Sequence, residues 1–246
     1  MRILVLVCLA TAAASPLAIA QEPRPLGPLD DRGVVTYFVA AGARDSGYRE
    51  ADRDLAVWAL SDWERAARGK LRFEPGDEQT ALVRIYWVEA GAGQYGETRA
   101  IAVNGRRGAA VFIRPDTDAL GPDIGRLAGG DMLFRDTVVY LTCVHELGHA
   151  LGLRHTAEFA DVMYFFGFGG DIPGFFQRYR AQLRARGDIA RVSGLSAGDL
   201  AQLATLYPRV GARGASNAVR VLAPAEPPAR PRFPLQRTSS ILGAAR

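Results

Sequence analysis

The chain has 246 residues, 48% of them hydrophobic, with 30 basic and 26 acidic side chains and a formal net charge of +4. Nearly all the basic residues are arginines, Lys70 being the only lysine, and no basic stripe interleaved with aromatics stands out, so the composition gives nucleic-acid binding no support. The two cysteines, Cys8 and Cys143, and three histidines, His145, His149 and His155, complete the inventory of soft metal ligands and reactive side chains.

Residues 1–20 hold one Arg, an apolar run broken by Ser15-Pro16, and Ala18-Ile19-Ala20 before Gln21. This reads as a secretory signal peptide cleaved between Ala20 and Gln21, because the apolar run is short for a membrane span. The mature protein is then expected to be secreted, extracellular or periplasmic, with no membrane span. Cys143 would be its only cysteine, so no internal disulfide forms. Residues 21–32 contain three prolines and read as a flexible lead-in. A core domain is expected over residues 33–208, long enough for one sizeable core.

Residues 34–39 (VVTYFV) form a β-branched and aromatic run expected to be a strand. Over residues 49–68 the pattern turns helical, with Ala51, Leu55, Trp58, Ala59 and Ala66 on one face and Gly69 as the stop. Residues 71–73 and 82–88 (LVRIYWV) read as two further strands. Asn104-Gly105 signals a tight hairpin leading into a strand at Ala110-Val111-Phe112-Ile113. A helix is expected over residues 136–151, with Asp136 as its N-cap.

That helix carries the chemistry. His145 and His149, four apart, lie on one helical face and can grip one metal ion. Glu146 stands one step round the helix, placed to act as general base towards a water on that metal. His155 is six beyond His149, too far along a straight helix, but Gly152 between them can adopt positive φ and turn the chain back. Three histidine ligands with an open fourth position describe a catalytic zinc site. Cys143 falls on roughly the opposite side of the helix and reads as a small buried hydrophobe.

His145-Glu146-x-x-His149-x-x-Gly152-x-x-His155 resembles the extended zinc signature of the metzincin metallopeptidases, and Asp161-Val162-Met163-Tyr164 resembles their Met-turn. Thr156, hydroxylic after the third histidine, is similar to the matrixin branch, as are the Trp58/Trp63 helix, the LRFE stretch and the closing LSAGDLAQLATLYP. The resemblance implies an α+β fold, an α/β sandwich with a mixed, mostly parallel twisted sheet, an active-site helix, a Met-turn and a C-terminal helix. It implies one catalytic Zn2+ on His145, His149 and His155, Glu146 as the catalytic residue and Met163 as the floor of the site. Tyr164 directly follows Met163 and is not expected to join the metal. The resemblance further implies that substrate pairs with an edge strand near Ala110, Val111 and Phe112.

The chain also departs from the family. No histidine is left for a second, structural zinc. The glycine-rich residues 91–96 lack the family's calcium-loop pattern, which leaves Ca2+ open and unindicated. The segment between the expected cleavage site and the first strand is too short for the family's cysteine switch and lacks the thiol that would cap the zinc, so activity is expected to need signal cleavage alone. Gly198 replaces the first of the paired aspartates of the closing helix, while Asp199 keeps the second, which braces the Met-turn. Residues 165–194 form an extended loop and helix insertion, whose Phe166 and Phe168 are expected, with Tyr164, to shape a large apolar substrate pocket or a mobile lid, or simply to pack the insertion. Residues 209–246, rich in Pro, Ala and Arg, read as a disordered tail.

These readings give a secreted, monomeric zinc endopeptidase acting on a peptide or protein substrate. The rival is a catalytically silent zinc-binding module presenting the Phe-rich insertion to a partner; an intact Glu146 speaks against it.

Overall fold

A computed structural model describes residues 26–29, 33–89 and 95–208, all within one unit of the chain. The expected signal peptide, most of the lead-in, residues 91–94 of the glycine-rich stretch and the tail expected over 209–246 lie outside the described residues. Among those described, no helix is long and apolar enough to cross a membrane.

Five strands form one sheet: β1 (Val34–Val39), β2 (Arg72–Pro75), β3 (Val83–Trp87), β4 (Gly96–Val103) and β5 (Arg106–Ile113). Their order is β2-β1-β3-β5-β4, with β4 antiparallel to β5 and every other pairing parallel. The Asn104-Gly105 signal is borne out: both residues have positive φ, 49° and 73°, and close the β4–β5 hairpin. Alternation sets the faces. Val83, Ile85 and Trp87 of β3 point into the core, while Arg84 and Tyr86 lie half-buried on the other face, where Tyr86 stacks on Phe112.

Helix α1 (Asp52–Ala67) packs against α3 (Met132–Leu151), and both cover the sheet's inner face. Leu55, Ala56, Ala59, Leu60 and Trp63 form the buried stripe of α1, and Trp63 Nε1 donates to the Val144 carbonyl at 2.9 Å. Of the apolar face expected from sequence, Ala51 is exposed and Trp58 is half-buried under the Arg186 guanidinium, 4.8 Å from its ring. Helix α1 ends with Arg68 in the left-handed region (φ 51°), one residue before Gly69.

The active-site helix is longer than its pattern predicts. Asp131, not Asp136, is the N-cap, and its carboxylate accepts from the amides of Leu133 and Phe134 at 2.9 and 3.2 Å. Asp136 lies inside the helix, buried and paired with Arg186 at 3.0 Å. Beside it, Arg135 is buried in an ion pair with Asp52 of α1. A short helix α2 (Pro122–Gly130) precedes α3, and α4 (Ile172–Arg180) and α5 (Ala197–Leu206) follow it.

Residues 26–29, expected in the flexible lead-in, are instead packed. The Leu29 amide donates to the Tyr207 hydroxyl at 2.9 Å, and Arg107 reaches the carbonyls of Gly27, Pro28 and Ala150. That small knot closes over the C-terminal end of α3.

Candidate active site

Helix α3 delivers His145 and His149 side by side, then stops at Gly152, whose φ of 101° is the left-handed turn the spacing called for. His155 comes back from that turn. Its Nε2 lies 3.3 Å from His145 Nε2 and 3.0 Å from His149 Nε2, and the three ligand nitrogens all fall within 4.8 Å of one another. Among the described residues this is the only set of three or more His, Cys, Asp or Glu side chains gathered closely enough to hold an ion.

Main-chain carbonyls fix which nitrogens point inward. His145 Nδ1 lies 2.7 Å from the Val162 carbonyl oxygen and His149 Nδ1 lies 3.1 Å from that of Leu153. A carbonyl only accepts, so each Nδ1 carries the proton and each Nε2 presents its lone pair. Burial lowers the pKa of His145, and burial with the neighbouring His145 and His149 brings His155 down to about 3. Neutral imidazoles with converging lone pairs repel one another unless a cation lies between them. A tetrahedral ion with bonds of about 2.0–2.1 Å places its ligand nitrogens about 3.3 Å apart, so these residues fit Zn2+.

Beneath the histidines the chain doubles back. The Thr156 amide donates to the Met163 carbonyl at 2.9 Å and the Phe165 amide to the Thr156 carbonyl at 3.1 Å. Met163 is fully buried, with its sulfur against Gly148 of α3, where any side chain would collide. Asp199 of α5 accepts from the amides of Val162 and Met163. Gly198 leaves room for Asp161, whose carboxylate would meet a Cβ at position 198 at 2.6 Å. Tyr164 turns its hydroxyl to the Gly169 carbonyl at 2.9 Å, and Phe165 lays its ring near that of His155, with centroids 4.8 Å apart.

Glu146 is 5% exposed, and burial raises its carboxyl pKa, partly opposed by His149 and by a hydrogen bond from Thr98. The Thr98 hydroxyl lies 2.7 Å from Glu146 Oε2 and 2.9 Å from the Glu146 carbonyl oxygen. Gly96 lies against the same carboxylate, since a Cβ there would stand 2.6 Å from Glu146 Cγ. Both residues sit on β4, which sequence reasoning did not single out. The hairpin signal was the available clue, because a strand leading out of Asn104-Gly105 requires a partner leading in.

The histidines and Glu146 open into a cleft of about 670 Å3. Gly96, Glu97 and Thr98 of β4 form one wall; Tyr164, Phe165 and Phe166 with Phe175 and Phe176 of α4 form the other. Two expectations for this cleft are corrected. Ala110, Val111 and Phe112 do not lie on an edge: β5 is bonded to β3 on one side and β4 on the other, so β4 is the free margin. Phe168 is 59% exposed and contributes to no wall, because the single 3-10 turn Phe166–Phe168 points Phe166 inward and Phe168 out. The far end of the insertion is packed: Asp62 accepts from Tyr140, Ser193 and the Gly194 amide.

Comparison of the chain with curated proteins gives no match. Against protein families, the matrixin family matches residues 30–168, more than half of the chain, from the segment before β1 through the three histidines and the Met163 turn. The mixed sheet, the histidine-bearing helix and the buried methionine turn are those expected of such a catalytic domain, and the chain belongs to the matrixin family of zinc metallopeptidases.

Proposed function

We propose that this chain is a secreted, monomeric zinc-dependent endopeptidase in which His145, His149 and His155 hold the metal and Glu146 is the catalytic base. The observation that carries the reading is the convergence of three imidazole Nε2 atoms in one cleft with the Glu146 carboxylate. Bound zinc supplies Lewis-acid activation of the attacking water and of the scissile carbonyl. Glu146 takes the proton from that water on its carboxylate and passes it to the nitrogen of the leaving amine. Its burial favours holding that proton between the two transfers.

The free margin of β4, which borders the cleft at Gly96–Thr98, receives the extended substrate by strand addition. Tyr164 and Phe166 wall the side-chain pocket. Residues 1–20 act as signal peptide and residues 33–208 as the peptidase domain.

The test is metal content together with cleavage of a mixed peptide library by the mature protein, beside a Glu146→Ala control. One zinc per chain, with cuts that disappear in the control and on chelation, is the expected result. Zinc without any cutting in folded protein would replace this reading with that of a zinc-binding interaction module.

A further inference from the structure

We infer that Thr98 is a positioning residue for the general base, its hydroxyl fixing the Glu146 carboxylate by a hydrogen bond from the same strand that borders the cleft. The inference rests on the reading of Glu146 as base. It starts from geometry: Thr98 Oγ1 lies 2.7 Å from Glu146 Oε2, and among the described residues Thr98 is the sole hydrogen-bond donor to that carboxylate. The Glu146 carbonyl oxygen, 2.9 Å away, competes for the single hydroxyl proton, but a charged acceptor at the shorter distance wins.

A glutamate has three rotatable bonds, and a carboxylate left free in a cleft spreads over several rotamers. Here two residues of β4 remove that freedom. Gly96 lets Cγ and Oε1 lie against the strand, where a Cβ would stand 2.6 and 2.8 Å from them. Thr98 then holds Oε2. Among the described residues no donor reaches Oε1, and it is the oxygen that takes the proton from water. The Thr98 hydrogen bond survives that transfer, because Oε2 remains an acceptor when Oε1 is protonated. No group has to reorganise during the step, which is how a preorganised base differs from one that is merely nearby.

The experiment uses the zinc-loaded mature chain as wild type, Thr98→Val, Thr98→Ser and Glu146→Gln, with a peptide that the wild type cuts. Valine keeps the branched shape and removes the hydroxyl; serine does the reverse. Thr98→Val is expected to lower kcat by about 10- to 100-fold, with KM within about twofold and unchanged zinc content and Tm. Thr98→Ser is expected to stay within about threefold of wild type, the range left when the hydroxyl is kept.

Binding of acetohydroxamate, read by calorimetry, gives a measure that needs no turnover, since its O–H proton is one that a carboxylate beside the chelated metal can accept. Its affinity should weaken about tenfold in Thr98→Val and hold in Thr98→Ser. Wild-type kcat in Thr98→Val, equal losses in the two variants, or a loss that follows Tm or zinc content would overturn the inference. If the wild type shows no Glu146-dependent cutting, the peptidase reading fails by itself and the acetohydroxamate affinities decide the role of Thr98. Should Thr98→Val not fold, Thr98→Ala takes its place, and failure of both to fold would make Thr98 structural.

Discussion

Asp199 and Val162 are joined across 37 residues by a buried hydrogen bond, the Val162 amide donating to Asp199 Oδ2 at 2.9 Å. The same carboxylate accepts from the Met163 amide at 3.2 Å and from the Ser196 amide at 2.8 Å, so one side chain closes the start of α5 and clamps the turn below the histidines. Val162 in turn offers its carbonyl to His145 Nδ1. Replacing Asp199 with Ala strands buried amides and should cost roughly 2–4 kcal/mol. Thermal unfolding should show the loss of stability, and zinc titration should show weaker binding because His145 loses its orienting carbonyl. Unchanged Tm and zinc affinity in Asp199→Ala would remove the clamp from the account.

What the sequence announced and what it concealed differ in range. His145, His149, the turn at Gly152 and the Asn104-Gly105 hairpin follow from spacings within one helix or one turn, and local spacing is what a sequence displays. Met163 was legible through its position after the third histidine and not through its packing. The Thr98–Glu146 contact spans 48 residues and depends on which strand lies at the margin, and no local pattern encodes strand order. Ala110-Val111-Phe112 reads as a good strand in either an interior or an edge place. Asp131 and Asp136 are equally plausible caps by residue type; the pairing of Asp136 with Arg186, 50 residues away, decides between them.

Gly96 offers a test of how closely β4 must approach the base. Its φ is not in the left-handed region, so alanine is acceptable to the backbone, and only the 2.6 Å approach to Glu146 Cγ opposes it. Gly96→Ala should fold and keep its zinc while losing about 100-fold or more in kcat, because misplacing a reacting group by about 1 Å costs that much. Steady-state kinetics beside a metal assay checks this. Near-normal kcat would show that Glu146 has room to shift without loss.

The cap of α3 gives a pH dependence of defined sign. Burial alone would raise the Asp131 carboxyl, but the Arg180 guanidinium at 2.7 Å and the amides of Phe134 and Leu133 outweigh it and hold the pKa below its ordinary 3.8. The folded protein therefore binds fewer protons here than the unfolded chain. This contribution is complete above the unfolded value and is lost as pH falls through the folded one. Asn at 131 keeps the cap and removes the charge. Asp131→Asn should cost about 0.5–1 kcal/mol at neutral pH for such a partly exposed pair, and wild type and variant should converge as pH falls through the lowered folded pKa. A gap in Tm that persists unchanged into acid would show that charge plays no part.

Phe166 and Phe168 look alike in sequence and should behave differently. Phe166 is half-buried in the cleft wall, with ring centroids 5.2, 5.0 and 5.8 Å from those of Tyr95, Phe175 and Phe176. Removing it deletes these contacts and a fourth with Tyr164, at 6.0 Å between ring centroids, and enlarges the apolar pocket. Phe166→Ala should therefore broaden the cleavage preference towards larger apolar side chains, at a stability cost of about 1–3 kcal/mol for a half-buried ring. Phe168 meets Phe165 and Tyr164 edge-on, at 5.2 and 6.2 Å between ring centroids, with most of its surface in solvent, so Phe168→Ala should leave both the preference and Tm close to wild type. Cleavage profiles of the two variants against one peptide library separate the cases. An unchanged profile in folded, zinc-loaded Phe166→Ala would mean that the aromatic cluster only packs the insertion onto the domain, and an equal shift in Phe168→Ala would mean that the outer face of the turn also meets substrate.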